Sequence, residues 1–111
     1  MANAFKNAGL AATGTSLTDA YTAGSGVTAT VIGLTCANIS STDPVLVDIK
    51  FYDASANANF FLVKQAQVYR GGALVAVGGD QKLVLETGDK IKVSSDTAAS
   101  IDTIVSVMEQ S

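Results

Sequence analysis

The chain has no histidine and no tryptophan, and only one cysteine and one proline in 111 residues. Without histidine, the commonest general base at neutral pH and the commonest metal ligand are both missing. A Ser-His-Asp triad, a Cys-His pair and a two-histidine zinc motif are therefore excluded, and a metal-dependent cupin with them. Lysine is the remaining candidate to activate a nucleophile. All six lysines sit at expected strand edges, on exposed faces or near the start, beside polar neighbours that give no cause for a lowered pKa. Gly24-Ser25-Gly26 and Gly71-Gly72 are too short to cradle a phosphate, and no GxxxxGK loop is present. No catalytic residue and no cofactor is expected, and the chain reads as a non-enzyme.

Charge is also scarce. Charged residues make up 15% of the chain, with 7 basic against 10 acidic and a pI near 4.5. A nucleic-acid partner needs a dense Lys/Arg footprint, and an anionic membrane surface needs much the same, so neither is expected. The longest apolar run, Ala73-Leu74-Val75-Ala76-Val77, is far too short to cross a bilayer as a helix. Met1 to Lys6 lacks the apolar stretch of a secretory signal, so the expected place is a cytoplasm, or a larger particle assembled there. Cys36 has no intrachain partner and sits mid-strand between Thr35 and Ala37, where it reads as a small buried hydrophobe.

What remains is β structure. Hydrophobic residues make up 48% of the chain but aromatics only 6%, so the core is thin and self-association would add burial. Residues 1–14 are rich in alanine and asparagine, with two isolated apolar anchors, Phe5 and Leu10. They read as an arm, flexible or extended, whose anchors dock on a neighbour; a frayed terminus is the alternative. From Thr15 to Ser111 the hydrophobic period is two. Eight strands are expected, over 15–22, 27–38, 45–53, 60–69, 73–77, 82–86, 90–94 and 101–109.

Gly24 and Gly26 suit a tight hairpin between the first two. Ile32, Leu34 and Cys36 should share one face, continued by Thr28 and Thr30, and Gly33 marks a bulge or a close approach. In 45–53, Val47, Ile49 and Phe51 alternate with Asp48, Lys50 and Tyr52, one face in and one out. Ser40 to Pro44 is the clearest loop. The fold expected is all-β, a single antiparallel β-sandwich, jelly-roll-like or immunoglobulin-like, with an N-terminal arm.

Three groups are candidates for binding. Asp80, Glu86 and Asp89 place three carboxylates within ten residues, but each adjoins a glycine or lysine rather than further ligands. Turn residues bonding nearby amides are the better reading, and no metal site is assigned. Tyr21, Tyr52 and Tyr69 would either form a patch for a sugar or a partner, or cover the sandwich rim with hydroxyls in water. The start of the 60–69 strand, Phe60-Phe61-Leu62-Val63, is apolar on both faces and belongs to the core or to an interface. Interface residues are expected among Phe5, Leu10, Phe60, Phe61 and Tyr69.

Several segments resemble a known group. Tyr21-Thr22-Ala23 with Gly26, the strand Thr30 to Leu34 and Ala37-Asn38 resemble the opening of small virion proteins of tailed bacteriophages. Asp48 to Tyr52, Phe61 to Lys64 and above all Val77 to Asp89 continue the likeness, followed by Ile91-Lys92-Val93 and Val105 to Glu109. Together these are similar to β-sandwich virion structural proteins of marine and cyanobacterial phages, over most of residues 15–109. The resemblance implies a virion location and a structural role, with copies of itself and proteins such as the major capsid protein as partners. Capsid decoration or cementing is the first expectation, a neck, tail or fibre position the second, and it carries over no catalytic or binding residue. A receptor- or carbohydrate-binding module is the alternative from another class.

Overall fold

The computed structural model describes residues 3–78 and 82–111. Its strands are β1 (Asn3–Thr13), β2 (Thr18–Thr22), β3 (Thr28–Asn38), β4 (Val45–Asp53), β5 (Ala58–Val68), β6 (Ala73–Val77), β7 (Leu83–Leu85), β8 (Lys90–Ser95) and β9 (Ile101–Gln110), and the described residues contain no helix. Two antiparallel sheets pack face to face. The first runs β1-β9-β3-β6, with β7 also on β3, and the second runs β2-β8-β4-β5.

The pairing has a simple logic. β4 pairs with β5, β3 with β6 and then β7, β2 with β8, and β1 with β9. The chain is thus one long antiparallel ribbon folded back at its middle. Pairing of β3 with β9 and of β4 with β8 wraps that ribbon around the core. This winding is a jelly roll, which decides between the two windings the sequence left open. Each expected strand is present.

Residues 1–14, read from sequence as an arm, contribute a ninth strand. Asn3 to Leu10 run beside Gln110 to Thr103, so residues 3–13 form the outer edge of the first sheet. Their hold is mostly main-chain: Ala8 and Leu10 are half-buried, Thr13 is buried, and the rest of β1 is exposed.

Local chemistry explains where the chain departs from simple alternation. At Gly33 the register against β9 slips by one residue, so Val31 and Leu34 both point inward. Ile32 is therefore not on the Leu34–Cys36 face; it stands outside with Thr28 and Thr30, 38% exposed. The Ala23–Gly26 segment does not close a hairpin, because β2 and β3 belong to different sheets. It is a corner between the layers, with Gly26 at φ 72° and the Val27 amide donating to the Gly24 carbonyl. Among the described residues, Ala54–Asn57 is the one connection that joins consecutive strands paired with each other, β4 and β5. The Ser40–Pro44 loop is organised by buried Asn38, whose amide donates to the carbonyls of Thr42 and Val68 while its oxygen accepts from Ser40.

The core between the sheets consists of alanine, valine, leucine, isoleucine and Cys36, with no aromatic among its fully buried members. Cys36 lies against Thr103 Oγ1 at 3.6 Å, and burial raises its thiol pKa. A core built from small side chains depends on each larger one. Leu34→Ala is expected to cost about 2–5 kcal/mol in a denaturant titration, enough to threaten a fold of ordinary marginal stability.

Candidate interaction surfaces

The acidic residues come first, because their roles are the most sharply defined. Asp89 is buried, and its two oxygens accept the amides of Ala54 and Glu86, each at 2.9 Å. Turn chemistry is therefore what Asp89 does; Asp80 lies outside the described residues. Asp48 accepts the Gln65 amide at 2.7 Å, Asp96 the Leu46 amide at 3.0 Å and Asp102 the Ala12 amide at 2.8 Å. Gln65 and Ala12 are non-glycine residues with φ near +50°, next to register shifts in β5 and β1. The carboxylates hold irregular backbone. No cluster of metal-ligating residues exists among the described residues.

The three tyrosines do not gather. Tyr21 lies opposite inward Ile91 and donates its hydroxyl to Glu109 on β9, which also pairs with Lys6 of β1 at 2.9 Å. Its hydroxyl is thus spent inside the molecule rather than in rim water. Tyr52 points outward, bonds Asn57 and sits 5.4 Å beneath Lys92, while Tyr69 follows β5 and bonds Gln67.

The residues expected at an interface fall in separate places. β1 lies against β2 and β5 against β6, at opposite lateral edges of the sandwich. Phe5 stands at the first edge, 75% exposed, and Leu10 is half-buried beside Thr103. Phe60 and Phe61 stand at the other edge on opposite faces of the second sheet, 53% and 48% exposed. Phe60 stacks on half-buried Phe51 with centroids 6.3 Å apart, whereas the ammonium groups of Lys50 and Lys64 lie 4.7 and 5.4 Å from the centre of the Phe61 ring. Tyr69, 57% exposed, lies beyond the far end of β5. Only Phe60 and Phe61 form a local pair.

The two outer faces differ in character. The second sheet displays Lys50, Lys64, Lys90 and Lys92 with Asp19 and Asp48 between them, and Asp19 pairs with Lys90 and Lys92 at 3.1 and 3.3 Å. Burial works against ionising Asp19, but hydrogen bonds from the two lysines outweigh it and lower its pKa. The first sheet displays threonine, alanine and serine with exposed Ile32, Val75, Val84 and Ile104. Among the described strand residues that point outward there, Asp102 is the one ionisable group, and its carboxylate is engaged by Ala12. Sequence reading missed this face, since its residues come from β3, β6, β7 and β9. The signal was present as outward Val75, Val84 and Ile104 within alternating strands.

Compared with known proteins, the chain matches no family model and no curated protein sequence.

Two measurements test these local assignments. Asp89→Ala orphans two amides and is expected to cost about 1–3 kcal/mol, read as an unfolding midpoint lower by at least about 5 °C. For the Tyr21–Glu109 contact, the hydrogen bond from Tyr21 and then that from Lys6 lower the Glu109 pKa, whereas burial followed by the same carboxylate raises that of Tyr21. The Glu109 contribution is present above the ordinary carboxylate range and is lost as pH falls through its lowered value. The Tyr21 contribution is present below the ordinary tyrosine range and is lost as pH rises from there through its raised value. Glu109→Gln should flatten part of the acid limb in a thermal scan against pH, and Tyr21→Phe part of the alkaline limb. Unchanged limbs in both variants would refute the coupling.

Proposed function

We propose that this chain is a non-enzymatic structural protein of a phage virion, decorating or cementing the capsid. The observation that carries this reading is the exposure of Phe5, Phe60, Phe61 and Tyr69, between 48% and 75% each, on a domain whose fully buried core contains no aromatic side chain. A chain with seven aromatics that leaves four of them largely exposed is suited to contact with neighbours. The jelly roll supports the reading by analogy, because this winding recurs in viral capsid domains, although it also serves lectins and cupins. The resemblance of residues 15–109 to phage structural proteins points the same way.

Phe60 and Phe61 are the docking group for another virion protein in this reading, with Lys50 and Lys64 beside them to meet an acidic surface. A neck or tail position uses the same contacts in fewer copies. The carbohydrate-binding alternative wants clustered exposed tyrosines, and the three tyrosines here lie apart.

The test is quantitative mass spectrometry of purified virions of the encoding phage, with copy number taken relative to the major capsid protein. Hundreds of copies per particle are expected; a few to a few dozen would move the protein to the neck or tail, and absence would overturn the virion reading. The Phe60→Ser, Phe61→Ser double variant, shown to be folded by circular dichroism, should fail to bind particles lacking the protein.

A further inference from the structure

The outer face of the first sheet is four strands wide along β1-β9-β3-β6, and its central strands β3 and β9 are 11 and 10 residues long. At roughly 4.8 Å between strands and about 3.4 Å per residue it covers about 19 by 34 Å, or about 650 Å². Two such faces together would bury about 1,300 Å², within the range of a specific protein–protein interface. Its four exposed aliphatic side chains spread across the sheet: Ile32 on β3, Val75 on β6, Val84 on β7 and Ile104 on β9. Thr35 and Ile104 stand directly opposite each other near its middle, with Val75 beyond Thr35.

Charge decides what fits there. The chain carries a net charge of −3, so a self-contact is best made through a surface that adds no close like-charge contact to that general repulsion. A two-fold contact sets a patch against its own image, so an unbalanced charge inside it meets its like. The face of the second sheet would oppose lysines to lysines. That of the first presents no cation from its described strand residues, and its one carboxylate is held by the Ala12 amide. Rich in β-branched residues and nearly uncharged, it is suited to sheet-on-sheet packing at about 10 Å.

We propose that two copies of this chain pack face to face through the outer surface of the β1-β9-β3-β6 sheet, giving a two-fold dimer of four sheet layers. This deepens the assembly reading above by assigning the self-contact to one face. It is carried by the isolated chain alone and stands even if the virion reading falls.

The test is sedimentation equilibrium of the full chain across the micromolar range, at low and high salt. A dimer is expected, with a Kd that changes by less than about threefold between the two salts, because no exposed ion pair contributes to it. Ile104→Lys should raise the Kd by at least about a hundredfold, since it sets two ammonium groups against each other in an apolar contact. Its circular dichroism should remain that of a folded β protein. Should that variant not fold, Thr35→Lys at the paired position carries the same test. Lys50→Glu, on the opposite face, should leave the dimer intact. A monomer at every concentration would overturn the proposal, as would a dimer that dissolves in salt or survives both lysine substitutions. The last result would assign association to the strand edges instead.

Discussion

A jelly roll is a ribbon that has to turn corners, and each corner or bulge takes a main-chain amide out of the sheet ladder. An amide left without an acceptor costs about as much as a lost hydrogen bond. In this chain aspartate supplies many of the missing acceptors. Asp48 and Asp102 serve β5 and β1 next to their register shifts, Asp89 ties the β7–β8 turn to the β4–β5 loop, and Asp96 holds the start of β4. Asp43 and Asp53 accept the amides of Arg70 and Ser55 in the same way. A bond to a charged acceptor is stronger than a neutral one, which matters where the core is made of small side chains. Much of the chain's acidity, Asp89 of the three-carboxylate group included, is thus spent on its own backbone.

That arrangement leaves an unusual division of the surface. Carboxylates hold bulges, corners and loops, lysines and their partners occupy one broad face, and the other broad face has almost no charge. The two faces are built from the same alternation, with every second residue turned outward. What differs is the residues supplied at those outward positions: Lys50, Lys90 and Lys92 on β4 and β8, against Thr35, Ile104 and Val75 on β3, β9 and β6. The edges differ too. β5 carries two register shifts against β4, which bend an edge strand away from regular pairing.

Much of the fold was legible because β periodicity is local. The alternation of Val47, Ile49 and Phe51 with Asp48, Lys50 and Tyr52 reads directly from the chain and stands as read. Gly33 marked a bulge or a close approach but did not say which, nor which way Ile32 would turn, because a one-residue slip exchanges the faces. The glycines at 24 and 26 marked a turn correctly; that the turn joins two sheets depends on strands as distant in the chain as β8 and β7. Phe5 and Phe60 were both expected at an interface, yet nothing in their neighbours says that β1 and β5 close opposite edges. The uncharged face was the least visible, being assembled from four strands far apart in sequence.

The nesting of the ribbon also orders events in time. Among the described strands, β4 and β5 alone meet across a short loop; each further pair closes a longer one, until Asn3 lies beside Gln110. Loop closure becomes costlier with length, and folds dominated by distant pairings form slowly. During synthesis the residues of β1 are made well before those of β9, so they have no partner until β9 follows. Their alanines, asparagines and lone Phe5 make a weakly cohesive segment for that interval, poor in the long apolar β-prone windows that seed aggregation. The same sparse side-chain burial that makes β1 a lightly held edge in the finished molecule keeps it harmless while it waits.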